Sequence, residues 1–171
     1  MLHNSNSRGF TIIEIITIIA IISLLSSIIA VNASKSRSVA RDGQRVSDLT
    51  TIQNALNLYF ADNKKYPPTI TTSLATYLPI IPKDPKTGSS YRYAGIDNSS
   101  PASLASCESY HLGAGMENKS NIALNQDKDS SISTACAGST ADFSGISKES
   151  TGVACFTSVL VADDQCFDLT P

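Results

Sequence analysis

The sequence predicts an α+β fold in which a long N-terminal α-helix packs on a small antiparallel β-sheet head. An uninterrupted apolar run from Phe10 to Val31, an amphipathic pattern that continues to Asp62, and short apolar runs between turn residues in the second half support this. At 171 residues the chain has room for one head domain and an attached helix, but not for two full cores. The net charge of -2 is too small to favour nucleic acid as the primary partner.

Residues 10–33 are predicted as the apolar half of the helix. The run from Phe10 to Val31 contains one charged residue, Glu14, and neither Pro nor Gly. As a helix with a rise of about 1.5 Å per residue it is about 33 Å long, enough to cross the hydrocarbon core of a bilayer. We therefore predict a membrane-spanning segment. Glu14 is unusual in such a segment, because an unpaired carboxylate deep in lipid raises the free energy of insertion by about 2.5–3.5 kcal/mol.

Residues 34–62 are predicted as the amphipathic half of the same helix. Apolar residues recur at steps of seven, three and four, at Val39, Val46, Leu49, Ile52, Leu56, Tyr59 and Phe60. The charged residues Asp42, Arg45 and Asp48 fall between these positions and are expected on the solvent-exposed side. Two consecutive prolines follow shortly after the pattern stops, so the helix is expected to end near Asp62.

Residues 63–171 are predicted as the head, which has a disulfide-bearing C-terminal region. Strands are expected at Tyr91–Ile96, Ser109–Ala114 and Val153–Val161, because short apolar runs there are bounded by Gly, Ser and Asp. His111 is expected on the second strand as a packing residue, and a ligand role is the lesser alternative.

The four cysteines, Cys107, Cys136, Cys155 and Cys166, all lie after the hydrophobic N-terminal segment. Because none has Cys-x-x-Cys spacing and the two histidines are far apart in sequence, the pattern does not favour a zinc site. An even number of cysteines on the exported side of a membrane favours disulfides. Three pairings are possible, and of these we favour Cys155 with Cys166 and Cys107 with Cys136.

No nucleophile is placed with a base, so the sequence predicts a protein that is not an enzyme and needs no cofactor. Asn125, Asp127 and Asp129 alternate at the spacing of oxygen ligands, which makes calcium an alternative to consider. This stretch lacks the Gly turn and the terminal Glu of an EF-hand loop. A hydrated surface loop is therefore favoured over a calcium site.

The string from Arg8 to Glu14, Arg-Gly-Phe-Thr-Ile-Ile-Glu, resembles the processing site of type IV prepilins and type II secretion pseudopilins. The resemblance implies that residues 1–9 are a leader peptide and that a prepilin peptidase cleaves between Gly9 and Phe10 and methylates the new N-terminus. It also implies that Glu14 sets subunit registration by pairing with the N-terminus of the next subunit. The alternative for Glu14 is a charge tolerated at the membrane interface.

The segment after the helix resembles type II major pseudopilins and related Gram-positive and candidate-phylum pilins. The similar features are the pair Leu78–Pro79 and an Asp-Pro-x-x-Gly-x-x-Tyr stretch from Asp84 to Tyr91. This resemblance implies the pilin fold, with the long helix packed on the sheet.

The resemblance implies a structural subunit of a type IV pilus-like filament, which self-assembles through its hydrophobic helix into a helical homopolymer after leader removal. Its expected partners are identical subunits, the prepilin peptidase, and an inner-membrane assembly platform with its motor. The precursor is expected in the membrane, with the leader cytoplasmic and the head outside, and the assembled filament is expected to be extracellular. The first alternative is a pseudopilin of a type II secretion-like system. The second is an exported binding domain, either membrane-anchored or secreted.

Two features of the residues favour other interpretations of the N-terminal segment. The leader has one firm positive charge, Arg8, whereas several basic residues follow the apolar run, so the positive-inside rule alone favours the opposite orientation. An ordinary signal peptide cut before Ser34 is the rival interpretation. The length of the apolar run and the presence of Glu14 argue against it.

Overall fold

The computed structural model of the chain describes residues 9–97, 107–126, 128, 133–143, 155 and 166–171, and for residues 28–32 it describes the backbone alone. The elements follow one another as α1 (Ile12–Asn63), α2 (Ile70–Ser73), β1 (Arg92–Ile96), β2 (Ser109–Gly115), a 3-10 helix (Ile122–Asn125) and β3 (Cys166–Leu169). The chain divides into two compact units, Met1–Arg37 and Ser38–Pro171.

The first unit contains the apolar part of α1. Its three serines do not leave their hydroxyl groups unpaired within the helix, since each donates to a carbonyl one turn back: Ser23 to Ile19, Ser26 to Ile22 and Ser27 to Leu24. The helix therefore satisfies its own polar groups in this stretch.

Within the described residues, no helix combines the length and the apolar content needed to cross a bilayer. The membrane-spanning segment expected at residues 10–33 stays a prediction.

The second unit packs the remainder of α1 on a three-stranded antiparallel sheet of order β1-β2-β3. Side chains alternate along a strand, so one face of β2 joins the core and the other faces away from it. The core cluster combines one stripe of α1 with that face of β2: Leu49, Ile52, Ala55, Leu56, Tyr110, Leu112 and Ala114. The helix ends where Lys64 adopts a φ of 58°, in the left-handed region that commonly closes helices.

The predicted α+β class is confirmed, and the bounds of its elements differ in part from expectation. The helix ends at Asn63, one residue beyond the predicted end, and the first two strands lie within one residue of their predicted bounds. The third predicted strand, Val153–Val161, lies outside the described residues except for Cys155. The third strand of the sheet is Cys166–Leu169, which the sequence analysis did not anticipate.

Cys107 is bonded to Cys136 and Cys155 to Cys166. These are the two pairings that the sequence analysis favoured among the three. The first disulfide joins the start of β2 to a segment, residues 133–143, that runs along the outer side of β1. There Cys136 N–H donates to the carbonyl of Gly95 at 2.9 Å, and Gly95 N–H donates to the hydroxyl of Ser139 at 2.7 Å.

Gly95 is required by this close approach. A Cβ built at residue 95 would lie 2.8 Å from Cys107 Sγ, 2.9 Å from Cys136 Sγ and 3.0 Å from the carbonyl oxygen of Pro67. The disulfide and the Pro67 carbonyl have little room to move, because Cys107, Cys136 and Pro67 are all buried.

We expect Gly95→Ala to lower the free energy of unfolding by about 1–3 kcal/mol, since overpacking forces the disulfide or the backbone to shift. Gly43→Ala is the matched control, because a Cβ at residue 43 of α1 meets nothing within 4 Å. It should raise the free energy of unfolding by about 0.5–1 kcal/mol through helix propensity. Urea unfolding of the full chain in a mild detergent measures both, and a Gly95→Ala chain as stable as Gly43→Ala would contradict the packing argument.

Candidate processing and assembly site

The predicted cleavage point precedes the helix. Gly9, Phe10 and Thr11 have no regular secondary structure, and α1 begins at Ile12. Phe10 is 79% exposed, and a Cβ at Gly9 would meet nothing within 4 Å. The chain's own fold therefore imposes no requirement for glycine at residue 9, and any such requirement would come from an enzyme that binds this segment. The rest of the predicted leader lies outside the described residues.

Glu14 and Thr11 form a capping box at the start of α1. The carboxylate Oε2 of Glu14 accepts hydrogen bonds from the backbone N–H of Thr11 at 3.1 Å and from its hydroxyl at 3.0 Å. In return, the Glu14 N–H donates to the Thr11 hydroxyl oxygen at 3.3 Å. Such reciprocal bonds satisfy orphan donors in the first helical turn, and an acid there also suits the helix dipole. Glu14 thus has a local role that the sequence analysis missed, although the Thr-x-x-Glu spacing signals it.

The helix that follows Glu14 exposes an apolar surface. The large apolar side chains exposed in the first unit are Phe10, Ile12, Ile13, Ile15, Ile16, Ile18, Ile19, Ile21, Ile22, Leu24 and Leu25. Single exposed apolar residues are ordinary, but a contiguous patch of this extent is characteristic of an interaction surface. Lipid tails or the apolar helices of other chains can cover such a surface.

In the second unit, a cluster of charged side chains ties α1 to the head. Arg45 donates through Nη1 to Asp42 Oδ1 at 2.7 Å and through Nε to Asp84 Oδ2 at 2.6 Å, and its Nη1 also reaches Glu117 Oε1 at 3.0 Å. Arg41 bonds both oxygens of Glu117, at 2.6 and 2.7 Å. We call this group, with Lys86 at 3.3 Å from Glu117 Oε2, the Arg45 cluster.

The expectation that Asp42, Arg45 and Asp48 face solvent is wrong for the first two. The exposed fraction is 0% for Asp42 and 3% for Arg45. The physical reason is that two loops cover this side of α1 and bring partners: Asp84 precedes β1, and Glu117 follows β2. Asp42 also accepts the backbone N–H groups of Glu117 and Asn118, at 2.8 and 2.9 Å.

Asp48 is half-buried and accepts a 2.6 Å hydrogen bond from the Tyr91 hydroxyl group. Burial of the phenol foremost, and this bond to a carboxylate, raise the pKa of Tyr91. The tyrosine that closes the Asp-Pro-x-x-Gly-x-x-Tyr stretch is therefore held against the helix as a neutral donor.

Two carboxyl groups of the Arg45 cluster, those of Asp84 and Glu117, have lowered pKa values. Burial opposes ionisation of Asp84, but the hydrogen bonds from Arg45 and from the N–H groups of Thr87 and Lys86 outweigh it and lower its pKa to about 2. The hydrogen bonds from Arg41, with those from Arg45 and Lys86, likewise outweigh burial and lower the pKa of Glu117 to about 2. Both carboxylates are therefore ionised at neutral pH and paired with basic side chains.

The predicted calcium ligands lie only in part within the described residues. Asn125 ends the 3-10 helix, whereas Asp127 and Asp129 lie outside the described residues. No group of three or more His, Cys, Asp or Glu side chains that could hold a metal ion is found within the described part of the chain. The calcium alternative therefore stays a prediction. His111, expected as a packing residue, is buried between two aspartates.

These features define a class of protein: an α+β chain whose N-terminal helix exposes an apolar surface behind an acidic cap, and whose head is fixed to the second part of that helix by buried ion pairs. The comparisons with known proteins bear on the N-terminal segment and part of the chain after it. The prokaryotic N-terminal methylation motif matches residues 4–30.

Three curated relatives, all named type II secretion system core protein G, are similar to the chain. The protein from Escherichia coli (strain K12) is 38% identical over 69 residues, which are 40% of this chain and 48% of that protein. The protein from Klebsiella pneumoniae is 39% identical over 62 residues, 36% of this chain and 44% of the relative. The protein from Aeromonas hydrophila is 36% identical over 61 residues, 36% of this chain and 43% of the relative.

The matched stretch of the chain thus spans about half the length of these relatives or slightly less. No solved structure gives a significant match. The motif and the relatives support the pilin and pseudopilin family that the N-terminal residues indicated. The relatives are core proteins of a secretion system and not enzymes, which supports the prediction that this chain is not an enzyme.

We expect Arg45→Met to lower the free energy of unfolding by about 3–5 kcal/mol at neutral pH, because Asp42 and Asp84 lose the guanidinium that pairs with them, whereas Glu117 keeps Arg41 and Lys86. Asp84 and Glu117, with pKa values of about 2 in the folded chain against ordinary values of 3.8 and 4.5, add stability that is complete above the ordinary values. That stability is lost as the pH falls toward 2. The difference between wild type and Arg45→Met should therefore shrink on acidification.

Arg37→Met is the matched control, since Arg37 is an exposed position of the same helix. It should change the free energy of unfolding by no more than about 0.5 kcal/mol. Urea unfolding of the full chain in detergent, from neutral pH to pH 2, measures the free energy of unfolding of the wild type, Arg45→Met and Arg37→Met. A constant gap between wild type and Arg45→Met from neutral pH to pH 2 would show that the cluster's charges do not stabilise the head.

Proposed function

We propose that the chain is a pseudopilin of a type II secretion-like system, a filament subunit that assembles through its N-terminal helix after leader removal. The observation that carries the proposal is the methylation motif over residues 4–30 together with the curated relatives, all core proteins of type II secretion systems. The comparisons favour this alternative over the type IV pilus subunit that the sequence alone ranked first. They also make an exported binding domain the least supported interpretation.

The exposed apolar surface of the first unit supports assembly with identical chains. Before assembly, the proposed location of this helix is the membrane, where lipid covers the same side chains. In the filament, the helices of neighbouring subunits replace the lipid. A head-to-tail contact repeated by rotation and rise does not close on itself, so it generates an open helical fibre.

Glu14 is proposed to set the axial register of neighbouring subunits in that fibre. Cleavage between Gly9 and Phe10 would create an α-amino cation, and a carboxylate surrounded by apolar side chains has its lowest free energy beside such a cation. If the helices slipped by one turn, the carboxylate would lie unpaired among apolar groups. The proposed partners in this pathway are a prepilin peptidase, which cleaves the chain, and an inner-membrane assembly platform with its motor.

The proposed function predicts a secretion defect. In the organism that encodes this chain, deleting its gene should reduce secreted enzymes in the medium to the level found when the motor of the same system is deleted. Surface filaments and adhesion should be unchanged, and the wild-type gene in trans should restore secretion. Loss of surface filaments with normal secretion would instead assign the chain to a type IV pilus.

We expect Glu14→Gln to be inserted and cleaved like the wild type but to assemble poorly. Gln can replace Glu in a capping box, so the helix start is kept while the charge is removed. Losing a buried ion pair should weaken each subunit addition by about 3 kcal/mol, roughly 100-fold. Filament yield by shearing and immunoblotting, in cells without wild-type subunits, measures the effect.

Thr11→Val is the matched control, since it removes the capping hydroxyl and keeps the charge. It should cost about 1 kcal/mol of helix stability and leave filament yield near that of the wild type. Gly9→Val should leave the leader uncut and so marks the unprocessed band in the same assay. Normal filament yield from Glu14→Gln would refute the pairing role. A filament defect in Thr11→Val beside normal yield from Glu14→Gln would show that assembly needs the cap and not the charge, because Glu14→Gln keeps the cap.

A further inference from the structure

His111 of β2 is buried between two aspartates that belong to other parts of the chain. Its Nδ1 lies 2.8 Å from Asp142 Oδ1, and its Nε2 lies 2.6 Å from Asp168 Oδ2. The exposed fractions of the three side chains are 2% for His111, 1% for Asp142 and 0% for Asp168. The ring also stacks on Phe143, with centroids 3.8 Å apart and an angle of 16° between the planes.

The geometry of these contacts favours a ring that carries two N–H groups. A neutral imidazole has only one N–H and can donate to only one of the two aspartates. The imidazolium form can donate from Nδ1 to Asp142 and from Nε2 to Asp168 at the same time. If the imidazole loses a proton, one nitrogen lone pair faces a carboxylate oxygen in a buried place, and that arrangement is repulsive.

The surroundings of the ring agree with a charged histidine. Asp142 faces it from the 133–143 segment and Asp168 from β3, while the residue paired with it on β1 is the uncharged Ala94. In the described part of the chain, these two aspartates are the charged groups shown against the ring. Burial opposes the positive charge, but the hydrogen bonds to both aspartates outweigh it and raise the pKa of His111 above its ordinary 6.5.

The three side chains join three segments that are distant in sequence. Asp142 also accepts the backbone N–H of Ser133 through Oδ2 at 2.7 Å, so it organises both ends of the 133–143 segment. Asp168 lies in the middle of β3, which pairs with β2 from Leu112↔Leu169 to Gly115↔Cys166. The disulfides join Cys136 to Cys107, two residues before β2, and Cys166 of β3 to Cys155. They do not by themselves set how the segments lie on β2.

We propose that protonated His111 is a proton-dependent clamp that holds β3 and the 133–143 segment on β2, and that deprotonation loosens both. Because the clamp favours the protonated ring in the folded chain, its contribution to stability is complete below the ordinary histidine pKa of 6.5. It is lost as the pH rises through the higher value of the folded chain. Loosening is thus expected as the pH rises above the ordinary histidine value.

Hydrogen–deuterium exchange of the full chain in a mild detergent tests the clamp. The readout is the protection factor of peptides covering 166–171 and 133–143, corrected for the intrinsic pH dependence of exchange, between pH 6 and 9. Protection in the wild type should fall as the pH rises, by about ten-fold for each unit by which folding raises the histidine pKa. A peptide from residues 49–56 of α1, in the core, should keep its protection over the same range.

His111→Gln and His3→Gln are the matched pair, because the chain has two histidines and only one lies in the clamp. His111→Gln should show lower protection that no longer depends on pH, and His3→Gln should behave like the wild type. Asp168→Asn should move the midpoint of the transition to lower pH, since it removes one of the two anions. This second variant keeps the test decisive if His111→Gln fails to fold. Constant protection in the wild type, an unchanged transition in His111→Gln, or an unmoved midpoint in Asp168→Asn would each overturn the proposal.

Discussion

The exposed apolar surface between Phe10 and Leu25 is the constraint on which the other features of the first unit depend. The backbone of this helix is hydrogen-bonded within itself, and its serine hydroxyls donate to its own carbonyls. Its start is closed by the capping box of Thr11 and Glu14. Two needs therefore remain: the apolar surface must be covered, and the negative charge of Glu14 needs a cation. Lipid tails cover apolar area, but they supply no partner for a buried carboxylate. Copies of the same helix with a free N-terminus can supply both an apolar surface and a cation.

The second part of α1 shows the opposite arrangement: there, charged side chains are buried. Asp42 and Arg45 occupy positions that the apolar periodicity leaves for solvent, yet loops from before β1 and after β2 cover them. Periodicity along a helix reports which side is apolar, but it does not report which loops fold over the remaining sides. The buried charges are tolerated because each carboxylate has a cation or backbone N–H groups as partners. The same arrangement sets the position of the head on this half of the helix.

Much of the fold could be predicted because its signals are local. The helix is marked by its apolar spacing and by the prolines after it, β1 and β2 by short apolar runs, and the capping box by a four-residue pattern. The strand β3 carries no comparable signal, since it is four residues long and begins at a disulfide cysteine. The partners of His111 are 31 and 57 residues away, and the aspartates that hold it look like ordinary loop acids in the sequence. Such contacts depend on how distant segments come together in the fold, and no local sequence pattern marks them.

The helix-capping role of Glu14 is compatible with its proposed role in filament register because of the way the cap is built. Both hydrogen bonds from Thr11 fall on Oε2, and within the described residues Oε1 of Glu14 accepts none. A carboxylate has room for several donors, so the proposed α-amino group of a neighbouring chain can bind Oε1 while the cap stays intact. Registration then requires no remodelling of the helix start, and the subunit is prepared for pairing before it meets a neighbour. A group that is already oriented loses little conformational entropy on binding, which favours rapid and specific subunit addition.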